Sequence, residues 1–280
     1  MIVPGSTSQS LAASLADRTG KPLTPVSYEQ FPDGEQIASV PEFEADHAVI
    51  VASTIGDSAW VEVLQLQDAV REAGATTVTT VLPYMGYARQ DESFMSGQPV
   101  SARAMARAIS TTTDRVILVN PHERGVTRFF DVPVDVADAS TTLAEPLPSL
   151  TEPLFLGPDG GAIQLTEAVR DAYGEGTVDH CEKHRDRETG AIDITPAGTS
   201  VTGRDVVLVD DIIATGSTMS ESISALKDAN RVFAVTVHPL LVGNALTKLR
   251  QAGVTRVIGT DTVEHAVSDV SVADPVEDTL

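Results

Sequence analysis

The chain has 280 residues, 42% of them apolar, and its forty Asp and Glu outnumber nineteen Lys and Arg for a formal charge of −21. A surface of that sign repels nucleic acid and anionic membranes. No run approaches the roughly 18 apolar residues of a membrane span, MIVPGSTSQS lacks the basic and apolar regions of a secretory signal, and a single cysteine, Cys181, forbids an intramolecular disulfide and points to a cytoplasmic protein.

Along the chain, short apolar runs alternate with amphipathic segments. FPDGEQ (31–36) contains Pro-Asp-Gly, good turn chemistry. HAVIVAS (47–53) reads as a strand, WVEVLQLQDAVREAG (60–74) as a helix stopped by Gly, and TTVTTVLPY (76–84) as a strand with Arg89 and Gln90 just beyond it. ARAMARAIST (102–111) is helical, and RVILVN (115–120) is a strand followed closely by His122. LFLG (154–157) is a strand leading into GPDGGA, and AIQLTEAVRDAYG (162–174) is a helix. CEKHRDRETG (181–190) concentrates bases in an acidic chain and holds Lys183, one of only four lysines, with Arg185. VVLV (206–209), VFAVTVHP (232–239) and RVIGTDT (256–262) complete the strands. Strands alternating with helices predict an α/β protein with mainly parallel sheets flanked by helices.

A weak internal repeat places HAVIVASTIGDSAWVEVLQLQDAVREAGATTVTTVLP beside VVLVDDIIATGSTMSESISALKDANRVFAVTVHP. Each runs strand, small-residue loop, helix and a second strand ending in Pro (Pro83, Pro239). Two similar domains are expected, 1–141 and 142–280, joined through a Thr-, Ser- and Pro-rich stretch near 136–150. Any two βαβ units share this outline, so the repeat alone does not establish common chemistry.

The most informative segment is VVLVDDIIATGSTM (206–219). Its apolar strand ends in Asp210 and Asp211, and the loop that follows, Ala214, Thr215, Gly216, Ser217 and Thr218, opens a helical segment. Loop N–H groups and a helix start attract phosphate. Two adjacent acids on an apolar strand are costly without partners, and ribose hydroxyls or a phosphate-bound metal supply them. The corresponding loop of the first repeat, ASTIGDS, has Ala52 and Ser53 in place of the acids.

DDIIATGST resembles the PRPP-binding loop shared by type I phosphoribosyltransferases and ribose-phosphate pyrophosphokinases. FPDGE and PYMGYARQDESF resemble the two ATP-binding motifs of the pyrophosphokinases, and the similarity continues through Gly5–Ser8, AVREAGA, QPVSARAMA, NPHE…RFFDVPVD, PDGGA and TDT. The chain is therefore identified as a member of the ribose-phosphate pyrophosphokinase family, of the archaeal kind. That resemblance implies two phosphoribosyltransferase type I-like domains, a first with the ATP site and subunit contacts and a second with the ribose 5-phosphate loop. It implies transfer of a diphosphoryl group from ATP to the C1 hydroxyl of ribose 5-phosphate with Mg²⁺, in a homo-oligomer of two or more subunits. It implies ATP contacts at Phe31, Asp33, Gly34, Glu35, Arg89, Gln90 and His122, with Phe31 on adenine and Asp33 and Glu35 reaching a neighbouring subunit's nucleotide. Metal roles fall to His122 and Asp159, ribose 5-phosphate contacts to Arg185, Asp210, Asp211, Ala214, Thr215, Gly216, Ser217 and Thr218, and catalytic roles to Lys183 and Arg185 on a closing loop. Asn120 stands where many relatives carry Asp, Ala214 replaces an acid of many bacterial members, and Ser217 replaces a Gly.

Two other readings share part of this pattern. A phosphoribosyltransferase shares the PRPP loop but needs neither the Phe31–Glu35 turn nor Arg89 and Gln90. A non-catalytic regulatory subunit fits poorly with Lys183, Arg185, Asp210 and Asp211 all in place. The acid excess reads as adaptation to a salty cytoplasm, because at about 1 M salt the Debye length falls to about 3 Å and long-range repulsion of ATP disappears.

Overall fold

The structure, a computed structural model, describes residues 1–185 and 192–280, with the side chains of residues 183–194 outside that description. It divides into two compact units, Met1–Asp138 with Asp261–Glu264 and Ser271–Leu280, and Ala139–Thr260 with His265–Val270.

In the first unit the strands are β1 (Ile2–Pro4), β2 (Ser27–Gln30), β3 (Gln36–Ser39), β4 (His47–Val51), β5 (Thr77–Leu82), β6 (Arg115–Val119) and β7 (Val134–Ala137), and the helices α1 (Gln9–Thr19), α2 (Gly56–Glu72) and α3 (Ser101–Ile109). Among the described residues, β1-β4-β5-β6-β7 form a parallel sheet in that order, and β2 and β3 form a separate antiparallel hairpin. Ala48 to Val51 are fully buried without alternation, as expected of a parallel strand covered on both faces. Val63, Leu66 and Val70 of α2 pack with Ile50, Val78, Leu82 and Leu118 of the sheet, each such side chain contributing about 1.5–3 kcal/mol on burial. The second helix begins at Gly56, four residues before the expected start at Trp60. Asp57 in its first turn suits the positive helix end, which periodicity alone does not register.

The second unit contains β8 (Leu154–Gly157), α4 (Ile163–Tyr173), β9 (Thr177–Arg185), β10 (Ile192–Pro196), β11 (Asp205–Ile212), α5 (Ser217–Ala225), β12 (Arg231–His238), α6 (Ala245–Ala252), β13 (Arg256–Thr260) and β14 (Ser268–Val270). Its strands run β10-β9-β8-β11-β12-β13-β14 among the described residues, parallel except for the β9–β10 hairpin. Leu154, Leu156, Val206, Leu208 and Ala234 line the sheet side of a core closed by Ile223 and Leu249. The start of β11 is clamped by Asp205, whose fully buried carboxylate accepts from Arg231 Nη2 at 2.5 Å and Nε at 3.1 Å, Thr151 N–H at 2.7 Å and Asn230 Nδ2 at 2.8 Å.

The expected division at 141/142 differs from these units in two respects: residues 139–141 belong to the second unit, and residues 261–264 and 271–280, placed in the second domain by sequence, belong to the first. α7 (Ala273–Glu277) packs on α1, with Arg18 paired to Asp274, and Arg115 donates to the carbonyls of Thr279 and Leu280 at 2.6 and 3.0 Å. Buried Ala273 and Val276 give that tail an apolar side to bury, a pattern too short to read from periodicity.

Candidate active site

The second sheet reverses direction between β8 and β11. From β8 the chain moves outward through β9 and β10, then returns to β11 and proceeds the other way to β14. Ligands of open α/β sheets bind beyond the carboxyl ends of the strands at such a reversal. Asp159 lies two residues beyond the end of β8, and Asp210 and Asp211 are among the last three residues of β11. β9 pairs with β8 as far as Gly157↔His180 and then continues to Arg185. Lys183 and Arg185 are thus carried on the backbone at the end of β9; their side chains, and residues 186–191 of the expected closing loop, lie outside the described residues. Asp179 ties the base of this hairpin, accepting from the N–H groups of His180, Gly198 and Thr199 at 2.8, 3.0 and 2.9 Å.

The strand carries both acids at its end, with Asp210 opposite Thr236 and Ile212 opposite His238. Asp210 Oδ1 accepts from the N–H of Asp211 at 3.0 Å, and Thr236 Oγ1 donates to the carbonyl of Asp211 at 3.0 Å. Burial pushes the Asp210 carboxyl well above the usual carboxylate range, and the charge of Asp211, then that of Asp159, adds to the shift. Crowded acids of this kind titrate as a group and are relieved by hydroxyl donors or a cation.

The loop between β11 and α5 presents donors. Its carbonyls are engaged: Ile213 O accepts from Leu241 N–H at 2.9 Å, Ala214 O from Val242 N–H at 3.0 Å and Gly216 O from Ser220 N–H at 2.9 Å. The N–H groups of residues 214–218 have no partner within the chain among the described residues. Gly216 permits the turn, with φ 70° and ψ 7°, and a Cβ there would stand 3.3 Å from the Cβ and carbonyl oxygen of Ala245. The side chains of Thr215 and Ser217 meet at 3.3 Å, and Lys248 of α6 places its ammonium 3.3 Å from both Thr215 O and Ser217 Oγ. Lys248 was not among the residues singled out by motif; its signal was scarcity, as one of four lysines.

In the first unit, FPDGE is the turn of the β2–β3 hairpin. Phe31 N–H donates to Glu35 O at 2.7 Å, Gly34 N–H to Phe31 O at 2.9 Å and Glu35 N–H to Asp33 Oδ1 at 3.1 Å. Phe31 stands 39% exposed on this turn rather than buried beneath it. Arg89 is exposed, while Gln90 holds the start of α3: its Oε1 accepts from Ser101 Oγ at 2.8 Å and its carbonyl from Ala102 N–H at 3.1 Å. His122 is exposed beyond β6, and Asn120, with φ 34°, donates to Asp138 at 2.9 Å.

No group of three or more His, Cys, Asp or Glu side chains suited to a metal occurs among the described residues. Mg²⁺ takes oxygen ligands, one or two carboxylates together with substrate phosphates. Asp159, exposed and with Oδ1 turned to Gly161 N–H at 2.9 Å, offers the oxygen chemistry that ion takes, whereas His122 offers a nitrogen better suited to a phosphate oxygen. No helix among the described residues is long and apolar enough to cross a membrane.

Residues 1–112 match the family model of the N-terminal domain of ribose phosphate pyrophosphokinase, and residues 136–275 match that of the phosphoribosyl transferase domain. A ribose-phosphate pyrophosphokinase of Halobacterium salinarum is 58% identical over 282 residues, covering all of both chains. One of Methanosarcina mazei is 42% identical over 285 residues, covering all of this chain and 94% of that one. Among solved structures, phosphoribosylpyrophosphate synthetase of Mycobacterium smegmatis superposes with a TM-score of 0.83 at 26% identity, covering 100% of this chain and 96% of that one.

Proposed function

We propose a residue-level mechanism on the premise that this chain belongs to the ribose-phosphate pyrophosphokinase family. The activity is that of a ribose-phosphate diphosphokinase, making PRPP and AMP from ATP and ribose 5-phosphate. The C1 hydroxyl oxygen of the sugar forms a bond to the β-phosphorus of ATP. The bond from that phosphorus to the oxygen bridging to the α-phosphorus breaks, AMP leaves with that oxygen, and the hydroxyl proton is released.

The observation that carries the assignment is the loop of residues 214–218, with engaged carbonyls and unspent N–H groups at the reversal point of the sheet. Those N–H groups and the start of α5 take the 5-phosphate. Asp210 and Asp211 accept from the ribose hydroxyls, which orients C1 and relieves the crowded carboxylates. Phe31, Asp33, Gly34 and Glu35 hold adenine and its ribose, Arg89 and His122 meet the triphosphate, and Gln90 fixes the turn that presents Arg89. Lys183 and Arg185 stabilise the charge that spreads over the transferring group; chemistry of this class is mostly positioning plus neutralisation. Mg²⁺ bound with Asp159 supplies neutralisation of the phosphate oxygens. The protein works in the cytoplasm as a homo-oligomer of at least two subunits; the exposed Tyr28, Phe31 and Ile37 of the hairpin support the association.

Incubation with Mg-ATP and ribose 5-phosphate in molar KCl, followed by separation of nucleotides, yields AMP and PRPP in equal amounts. A phosphoribosyltransferase would leave ATP intact and consume PRPP with a base, and absence of AMP in high salt would overturn the reading.

A further inference from the structure

We infer that Lys248, outside the PRPP loop in sequence, is a binding residue for the 5-phosphate of ribose 5-phosphate; this rests on the assignment of residues 214–218 as the sugar-phosphate cradle. The loop itself carries no positively charged side chain, since it consists of Ala, Thr, Gly, Ser and Thr. A phosphate monoester brings a charge of about −1.5 to −2 at neutral pH. Against this the helix start offers about half a charge, while the chain as a whole carries −21. In molar salt the field of distant bases is screened within about 3 Å, so only an ion in direct contact offsets the phosphate.

Lys248 is positioned for that contact. It lies on α6, whose first residue, Ala245, packs against Gly216, so helix and loop are held together by backbone rather than by the lysine alone. Its ammonium reaches the loop at Thr215 O and Ser217 Oγ, both at 3.3 Å. An ammonium has three donors, and two are accounted for by these contacts, leaving a third. Both are longer than a strong N–H···O bond, so the group can shorten onto a charged oxygen, for which hydrogen bonds are stronger. The Ser217 hydroxyl, already bridged to Thr215 Oγ1 at 3.3 Å, then links the ammonium to the cradle instead of competing with it. A lysine also suits a rotating phosphate better than a rigid guanidinium fork, because it acts as a compact point charge on a flexible stem.

The test uses the full chain in molar KCl, with wild type, Lys248→Met and Lys248→Arg. Steady-state KM is measured for ribose 5-phosphate and for ATP separately, kcat is taken at saturation, and melting is followed in parallel. Loss of a charged hydrogen bond to substrate raises the KM for ribose 5-phosphate about tenfold to a hundredfold in Lys248→Met. The KM for ATP stays within twofold, and Lys248→Arg recovers most of the loss. A lysine that only stiffens the loop would instead lower kcat and the melting temperature with the ribose 5-phosphate KM unchanged, or raise both KM values together, and either result overturns the inference. If wild type releases AMP and Lys248→Met keeps a wild-type KM for ribose 5-phosphate, only the role of Lys248 falls. If wild type releases no AMP, the assignment of the cradle falls and this inference with it.

Discussion

Replacing Gly216 with Ala tests the cradle with the least chemical change. The backbone there has φ 70° and ψ 7°, a left-handed conformation that costs a residue with a Cβ about 1–2 kcal/mol. The new methyl group would stand 3.3 Å from the Cβ and carbonyl of Ala245 and 3.4 Å from its Cα. Ala245 is fully buried at the start of α6, so relief requires the helix or the loop to move by a few tenths of an ångström, adding about 1 kcal/mol at the low end of overpacking costs. A loss of about 2–3 kcal/mol lowers the melting temperature by about 5–10 °C. The displaced loop no longer aligns its N–H groups on phosphate, so the KM for ribose 5-phosphate rises while that for ATP holds. Melting in molar KCl and the two KM values read both effects. Gly198 is the control: a Cβ there meets nothing within 4 Å, and Gly198→Ala stays within about 0.5 kcal/mol of wild type, as surface changes do. A Gly216→Ala protein that melts and binds ribose 5-phosphate like wild type would refute the argument.

Other consequences follow from single groups. Lys183→Ala removes a donor to the transition state, about 3–4 kcal/mol of barrier, and slows turnover about a hundredfold or more; near-normal turnover rules out its catalytic role. Asp205→Asn exchanges a buried carboxylate held by Arg231, Thr151 and Asn230 for an amide that cannot satisfy all those donors, at about 1–3 kcal/mol. The Arg231 guanidinium, with the N–H donors of Thr151 and Asn230, holds the Asp205 carboxyl below its usual value. A depressed value means the contribution is present above the unfolded pKa and is lost as pH falls through the folded one. Denaturant titrations therefore find the gap between wild type and Asp205→Asn closing on acidification below about pH 4, and a gap independent of pH would contradict the ion pair as its source. With forty acids against nineteen bases, the folded chain melts at lower temperature in dilute buffer than in molar KCl as screening is withdrawn; equal melting in both would end the reading of the acid excess as a salt adaptation.

Much of the fold was legible because parallel strands buried on both faces are written as unbroken apolar runs. HAVIV, VVLV and VFAVTVH fall in β4, β11 and β12. Helix ends were less so: α2 begins at Gly56, earlier than its apolar periodicity, with the charged Asp57 rather than a buried residue in its first turn. The tail packed on α1 escaped because five residues with two buried side chains carry no period. In the site, DDIIATGST announced itself through the cost of its acids. Lys248 did not, since its contribution depends on α6 folding back over the loop, a contact between residues about thirty apart that no local pattern encodes.

The two repeat loops show why one of them can serve as an anion cradle. In the first unit the N–H of Ala52 donates to Val81 O at 3.1 Å, that of Ser53 to Ser8 Oγ at 2.9 Å, that of Thr54 to Tyr84 O at 2.9 Å and that of Ile55 to Ser53 O at 3.0 Å. The Thr54 hydroxyl accepts from Gly86 N–H at 2.9 Å, and a Cβ on Gly86 would come within 2.2 Å of the Thr54 carbonyl. Of those acceptors Tyr84 lies beyond β5 and Val81 within it, while Ser8 caps α1 and Ser53 belongs to the loop itself. Buried N–H groups that already have good acceptors gain little from phosphate, and at the matching positions of the second unit the N–H groups of Asp211 and Ile213 are likewise taken, by Asp210 Oδ1 and His238 O. In the second unit Leu241 and Val242, beyond β12, donate to the carbonyls of Ile213 and Ala214, and the N–H groups of 214–218 have no partner within the chain among the described residues. Strand, loop and helix are alike in the two units. What separates them is the acid pair, Asp210 and Asp211 against Ala52 and Ser53, and on that difference rests the proposal of one sugar-phosphate loop per chain.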